Sequence, residues 1–396
     1  MMHPAEEIYC EKSNKLRGKT IVMGITGSVA ATECFGTIRE LVRHGAKVSA
    51  VLSREARKMV TPESMEFATG NPCVTELTGM AEHVDFLGDS SGADLFMVYP
   101  ATANTVSKIA NGIDDGPVTS MATVAMGSGV PIMVAPAMHD AMYRNPAVAE
   151  NIAKLKAWDV KVVGPRVDGG RAKVASRDEI VAWAFKLLSK DDLVGRRILV
   201  IGGRSEEPID SMRMITNRST GLMALRVAER AFERGADVTL WMGAGDVPIP
   251  DYMDVRRFET VADLVSMVGT IDHDVVIVPA ALADFSPEKP KEGKIPSGKA
   301  FKVNLVPVPK VLPLIRERCG KVIGFKAESG LTKEKLTDRA RQRLKEYGLA
   351  AVVANDIDVA GKSTSSAIIV TADSAKDITG PKEDVADSIL DYCVKL

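Results

Sequence analysis

Gly18-Lys-Thr-Ile-Val-Met-Gly24, a helical pattern, then His44-Gly-Ala-Lys-Val-Ser-Ala-Val51: this order occurs twice in the chain. The second copy is Gly195-Arg-Arg-Ile-Leu-Val-Ile-Gly-Gly203, a helical pattern, then Arg234-Gly-Ala-Asp-Val-Thr-Leu-Trp241. Each short apolar run reads as a strand buried on both faces, as in a parallel sheet. Each Gly-Ala-(Lys/Asp)-Val places a C-capping glycine between a helix and the next strand. The chain therefore opens two β-α-β units, divided by the polar stretch Ser189–Val194, and the expected domains are residues 1–190 and 191–396.

Outward from these openings, the first half has strand candidates at Leu95–Tyr99, Pro131–Ala135 and Lys161–Val163, with helices at Asn145–Lys156 and Asp178–Leu188. The second half has strand candidates at Val275–Val278, Val322–Phe325, Ala351–Ala354 and Ala367–Val370. Its helical patterns are Gly221–Glu233, Val261–Val268, Lys333–Tyr347 and Lys382–Val394. Strands alternating with helices predict an α/β fold of two doubly wound, parallel-sheet (Rossmann-like) domains. In such sheets ligands lie beyond the carboxyl ends of the strands, so the loops there are where chemistry is expected.

Composition narrows the function. A length of 396 residues fits two large domains. Hydrophobic residues at 45% and charged residues at 26% are the balance of a globular protein, not a disordered one. With 51 basic and 52 acidic residues, no global positive field exists to hold nucleic acid, and no nucleic-acid partner is expected. The apolar run Val275–Ala283 is too short to span a bilayer, so no membrane partner is expected. Met1–Lys19 carries Glu6, Glu7 and Glu11 without an apolar core, unlike a secretory signal. The five cysteines are odd in number, scattered and without a CxxC, which argues against a disulfide framework or zinc site and for a cytoplasmic location. Five histidines argue against a multi-histidine metal centre, and no metal ligands are assigned.

Candidate site residues follow the strands. In Gly24-Ile-Thr-Gly27-Ser28-Val-Ala-Ala31, Gly27 permits close backbone approach, and Ser28 with the next helix start offers donors to a phosphate. A plain strand-to-helix turn accounts for the same residues equally well. Ser53 either joins that anion site or caps Arg54–Met59. Pro100-Ala-Thr102-Ala-Asn104 offers uncharged hydrogen-bonding groups suited to the edge of a planar heterocycle. Pro136-Ala-Met138-His139 ends the next strand, and Met138 there suits a substrate wall as well as core filling. His83 is an acid–base candidate or a surface histidine.

In the second half, Asn217-Arg-Ser219-Thr-Gly221 sets hydroxyls and N–H groups at a helix start, a cradle for a triphosphate or an ordinary cap. Ala280-Ala281-Leu-Ala-Asp284 leaves room for a ligand and ends at a carboxylate. Lys294, beside Gly293, suits closure over phosphates. Phe325 in Gly324-Phe-Lys-Ala-Glu328 and the stretch Ala354-Asn-Asp356 end two further strands bordering the same crevice. Neither half carries GxGxxG followed by an acidic residue about twenty positions on, which argues against two NAD-dependent reductase domains.

Taken together, Gly24–Ala31, His83, Pro100–Thr105 and Pro136–Tyr143 resemble the flavin-dependent cysteine decarboxylases, the phosphopantothenoylcysteine decarboxylase domain among them, over about residues 18–188. Glu207–Asp210, Asn217–Met223, Ala280–Phe285, Gly293–Ser297, Gly324–Glu328 and Val353–Asp356 resemble phosphopantothenate–cysteine ligase over about residues 195–394. The order of the two resembles the bifunctional coenzyme A biosynthesis proteins, archaeal members in particular.

The resemblance implies a flavodoxin-like FMN domain followed by a nucleotide-binding ligase domain. The ligase domain activates 4′-phosphopantothenate with CTP (ATP the alternative) and Mg2+, and cysteine captures the acyl-nucleotide. The flavin domain oxidises the thiol of 4′-phosphopantothenoylcysteine, loses CO2 and returns the electrons, giving 4′-phosphopantetheine. The implied catalytic residues are His83 and His139 for decarboxylation, and Asn217 and Lys294 for ligation. Gly27, Ser28, Ser53, Pro100, Thr102, Asn104 and Met138 are implied to bind the flavin. Ser219, Gly221, Ala280, Ala281, Asp284, Phe325 and Arg343 are implied to bind the nucleotide. A homo-oligomer with trimeric flavin domains and dimeric ligase domains is implied as well.

The chain departs from the family pattern at several places. His139 stands where the family has asparagine, and Arg171-Ala-Lys173 replaces a flap cysteine, with Lys173 a substitute donor. Leu222 and Tyr347 replace lysines, with Arg343 or Lys345 to make up the charge, and Ser363-Thr-Ser-Ser366 replaces an acidic turn. These departures motivate one alternative, a flavin-binding regulatory or scaffold homologue without one or both activities.

Overall fold

In the computed structural model, which describes residues 2–168, 171–298, 300–356 and 364–396, the chain divides into two units, Met1–Ser189 and Lys190–Leu396.

The first unit is built on a parallel sheet in the order Lys47–Leu52, Thr20–Ile25, Leu95–Ala101, Ile132–Pro136, Lys161–Val162. Alternation along each strand feeds two cores. Ile21, Met23, Ile25, Leu95, Met97 and Tyr99 face one side, where Cys34–Arg43 and Arg177–Leu188 pack. Val22, Phe96 and Val98 face the other, covered by Ala103–Ala110, Pro117–Gly127 and Pro146–Ala157. Both faces are dry, which is why these strands read as unbroken apolar runs. Gly45 sits at φ +95°, the left-handed geometry expected of its capping role. The strand order reverses between Thr20–Ile25 and Leu95–Ala101, so a crevice opens between the loops that follow them.

The second unit carries an eight-stranded sheet among the described residues. Its order is Asp254–Arg257, Asp237–Met242, Arg197–Gly202, Val275–Val278, Val322–Glu328, Ala351–Asp356, Thr364–Val370, Ala375–Pro381. The first six strands are parallel, and the reversal point lies between Arg197–Gly202 and Val275–Val278. The last two strands run antiparallel to their neighbours at the edge of this otherwise parallel sheet. The cause is chain length: a parallel return needs a crossover of about a dozen residues or more, and only 357–363 separate the strands. Thr364 to Ser366, expected in a turn, belong to a strand, and Ser363 lies outside the described residues.

Helices Val261–Val268, Val311–Arg318 and Lys333–Tyr347 cover one face of this sheet around Leu199, Ile201, Val276 and Val352. Leu222–Glu233 and its C-cap Arg234 are tied to Lys382–Cys393 by ion pairs: Arg226–Glu383 at 2.8 Å, Arg230–Asp387 at 2.9 Å and Arg234–Asp391 at 2.9 Å. No helix among the described residues is long and apolar enough to cross a membrane.

Candidate active sites

In the first unit the reversal point is closed by Thr26. Its hydroxyl donates to the Pro100 carbonyl at 2.6 Å and accepts from the Thr102 N–H at 3.0 Å, stitching together the loops after the first and third strands. Thr102 in turn caps Ala103–Ala110, its hydroxyl accepting from the Thr105 N–H at 3.3 Å. Pro100 is buried, and Asn104 is exposed as the second residue of the capped helix. Gly27 follows directly; a Cβ there would lie 2.4 Å from the Glu55 Cβ and 3.1 Å from its carbonyl carbon, so the two loops touch where only a glycine fits. The Ser53 hydroxyl accepts from the Ala56 N–H at 3.2 Å within the turn that precedes Ala56–Lys58, while its own N–H donates to the Ile25 carbonyl at 3.0 Å.

Beside this seam lies an open cleft of about 610 Å3. It gathers Ser28, Met138 and His139 of the residues read from sequence, together with Lys173. It also brings in Tyr99, Glu33 and Arg177, which the motifs did not single out. Gly27, Ser53, Pro100, Thr102, Asn104 and His83 are not part of its lining.

His139 caps Asp140–Tyr143, its Nδ1 accepting from the Ala141 N–H at 3.2 Å. With Nδ1 an acceptor, the proton of the neutral ring belongs on Nε2, which leaves His139 a donor on its exposed side. His83 sits on Glu82–Leu87, positioned by Glu82, whose carboxylate accepts from the Thr78 N–H at 2.9 Å. Its Nδ1 is buried with no hydrogen-bond partner among the described residues. A buried orphan of this kind costs about 1–3 kcal/mol. Burial pushes the Cys34 thiol far above its ordinary range, with Glu33 adding to the shift, so Cys34, donating to the Tyr99 carbonyl at 3.2 Å, is a core residue and not a nucleophile.

The second unit has its own seam. The Ala281 N–H donates to the Gly203 carbonyl at 2.9 Å, the Ser205 N–H donates to the Ala281 carbonyl at 3.3 Å, and the Ala283 N–H donates to the Ser205 hydroxyl at 3.0 Å. A cavity of about 520 Å3 opens over it, within the size range of ligand sites. It gathers Asn217, Ser219 and Gly221 from one loop and Ala280, Ala281 and Asp284 from another. Phe325 and Arg343 complete the sequence-derived set.

Asn217 is fixed by its side-chain amide, which donates to the Ala281 carbonyl at 3.0 Å. Gly221, at φ +81°, starts Leu222–Glu233, and a Cβ on it would meet the Met242 methyl at 2.1 Å. Arg204 holds the turn, donating to the Ser219 carbonyl at 2.8 Å. The lining also contains Arg218, Lys310, Lys326 and Lys382. Lys310 pairs with Asp284 at 2.5 Å and Lys326 with Glu328 at 2.9 Å. The Arg343 Nε is buried without a hydrogen-bond partner among the described residues, its guanidinium over the Tyr347 ring at 5.4 Å.

Lys294 is exposed and outside this lining. Its loop is anchored by Asp210, whose carboxylate accepts from the Ile295 N–H at 3.0 Å and from the Arg213 guanidinium at 2.6 Å. Burial opposes ionisation of Asp210, but the N–H groups of Ile295, Met212 and Arg213 and the Arg213 guanidinium win, holding it down to about 2.

A dry doubly wound unit with a cleft beside its reversal point, followed by a second with a cation-lined cavity at its own, defines a two-domain α/β protein with a candidate ligand site in each domain. Residues 10–189 match the family described as Flavoprotein, and residues 193–396 match the DNA/pantothenate metabolism flavoprotein C-terminal domain. The chain is 44% identical to the coenzyme A biosynthesis bifunctional protein CoaBC of Thermococcus kodakarensis, over 100% of both chains. It is 33% identical to that of Methanocaldococcus jannaschii, over 100% of this chain and 98% of the other. A solved DNA/pantothenate metabolism flavoprotein from Streptococcus pneumoniae overlays 50% of this chain and 98% of its own, at 26% identity and a TM-score of 0.45. The chain belongs to the family of bifunctional coenzyme A biosynthesis proteins, enzymes in which a flavoprotein decarboxylase domain precedes a ligase domain.

Proposed function

We propose that the second unit joins 4′-phosphopantothenate to cysteine at the expense of CTP, and that the first unit, carrying FMN, decarboxylates the product to 4′-phosphopantetheine. The observation that carries the ligase half is the convergence of Asn217, the Ser219–Gly221 turn, Asp284 and several cations on one cavity at the reversal point. That set suits a triphosphate beside a carboxylate nucleophile.

The carboxylate of 4′-phosphopantothenate attacks the α-phosphorus, and pyrophosphate leaves. The cysteine amine then attacks the acyl-cytidylate carbonyl and expels CMP. Asn217 orients the acyl phosphate, and Lys294 neutralises charge that develops as pyrophosphate departs. Asp284 recognises the nucleotide. Mg2+ bound with the nucleotide would help neutralise the charge that builds up as pyrophosphate leaves. ATP is the competing nucleotide, because Leu222 and Tyr347 stand where the family pattern has lysines.

In the first unit, the tight Gly27 turn, the Thr26 seam and the adjoining cleft support FMN binding beside the loop after the third strand. FMN supplies the redox couple that labilises the carboxylate. His139 donates from Nε2 to the substrate carboxylate, and His83 is the acid–base residue that holds or moves a proton at the substrate. Val29, 74% exposed on the cleft rim, and Val84, 52% exposed beside His83, leave apolar surface for a neighbouring subunit. The homo-oligomer of trimeric flavin units and dimeric ligase units is what the family resemblance implies, and light scattering tests it.

The deciding experiment uses the full-length purified chain. A yellow protein that releases pyrophosphate from CTP with 4′-phosphopantothenate and cysteine, and CO2 from the product, is the expected result. The same assay with ATP fixes the nucleotide. A yellow protein inert with both nucleotides overturns the catalytic reading in favour of a scaffold, and a colourless protein that refuses FMN overturns the flavin assignment.

A further inference from the structure

Lys382 begins the last helix, Lys382–Cys393, and is only 6% exposed, yet it lines the cavity of the second unit. No ion pair or hydrogen bond of its ammonium exists among the described residues. Glu383, the adjacent acid, is committed to Arg226 at 2.8 Å, and Arg226 also holds Glu229 at 2.6 Å. Burial pushes the Lys382 ammonium below the ordinary lysine range; Glu383 pulls it back, and Arg226 pushes it further down.

The other lysines of the lining are neutralised. Lys310 faces Asp284, and Lys326 faces Glu328. The helix carrying Lys382 is held by Arg226 and Arg230 of the neighbouring helix and by its C-cap Arg234, which fixes the start of that helix beside the cavity. A desolvated cation without a counter-charge is a standing cost to the fold, and it persists where a ligand supplies the missing charge.

We propose that Lys382 is a binding residue of the ligase site that receives a phosphate oxygen, from either the triphosphate of the nucleotide or the phosphate of 4′-phosphopantothenate. The assignment rests on the ligase reading above and adds a residue to it that the motifs did not contain.

The test is calorimetric titration of the full-length protein and its Lys382→Met variant with CTP and, separately, with 4′-phosphopantothenate, alongside melting curves. Met keeps the length of the stem and removes the charge. The expected result is at least tenfold weaker binding of one of the two ligands with the other unchanged, which names the source of the phosphate. Lys382→Arg should bind within about threefold of the parent. Because the buried charge is gone, Lys382→Met should melt at or above the parent's temperature, a gain in stability with a loss of binding that a purely structural lysine does not give. A variant that binds both ligands like the parent overturns the assignment. So does one that melts several degrees lower, since the ammonium then has a partner within the protein; Lys382→Gln repeats the comparison if Lys382→Met does not fold. A parent protein that binds neither ligand overturns the ligase reading itself.

Discussion

The carboxylate of Asp210 accepts a hydrogen bond from the backbone N–H of Ile295 at 3.0 Å, across 85 residues of sequence. The turn after Glu207 is thereby clasped to the loop that carries Lys294, with Arg213 closing the clasp from Asp210 at 2.6 Å to the Ile295 carbonyl at 3.2 Å. Asp210→Asn keeps the shape but loses the charge that Ile295, Met212 and Arg213 stabilise. Ligation should fall at least tenfold while decarboxylation is unchanged. The carboxylate is depressed to about 2, so its stabilising contribution is complete above the ordinary aspartate range and lost as pH falls through about 2. Melting curves should therefore separate the variant from the parent at neutral pH and converge in strong acid. Equal melting temperatures at neutral pH would remove the clasp.

Lys294 is exposed on that clasped loop, so its charge can be removed without disturbing the core. Lys294→Gln should lower pyrophosphate release by about a hundredfold or more, the scale of one lost transition-state cation or donor. CO2 release from supplied 4′-phosphopantothenoylcysteine should be unaltered. Normal pyrophosphate release by this variant takes Lys294 out of the mechanism.

Much of this arrangement is legible in the sequence, for physical reasons that differ by element. The parallel strands Thr20–Ile25 and Arg197–Gly202 are dry on both faces, so they stand out as apolar runs between glycines. Helix Pro117–Gly127 escapes notice because it is rich in small apolar residues and lacks a polar stripe with a helical period. The antiparallel end of the second sheet follows from a connection length, not from residue type. In the ligase cavity, Asn217 and Asp284 belong to local motifs. Lys310 and Lys382 come from separate elements without one, and meet those residues only in the folded chain.

Thr26 is 1% exposed, and its hydroxyl both donates and accepts across the reversal point of the first unit. Thr26→Val preserves the shape and leaves the Pro100 carbonyl and the Thr102 N–H without that partner. The expected loss of stability is about 1–3 kcal/mol, read from denaturant unfolding. The loop from Pro100 to Asn104 loosens with it, so FMN retention through purification should drop. A variant as stable and as yellow as the parent shows that the seam does not position the flavin loop.

His83 offers the sharpest test of the flavin unit, because its Nδ1 is buried and unpartnered among the described residues while the ring is held on a short helix. His83→Asn removes a proton carrier worth about a hundredfold to ten-thousandfold in rate and leaves the Thr26 seam and the Gly27 turn intact. Decarboxylation should collapse by that factor while the variant remains yellow and its ligase activity is that of the parent. Loss of the flavin along with activity would make His83 a structural support, and undiminished CO2 release would remove it from the reaction.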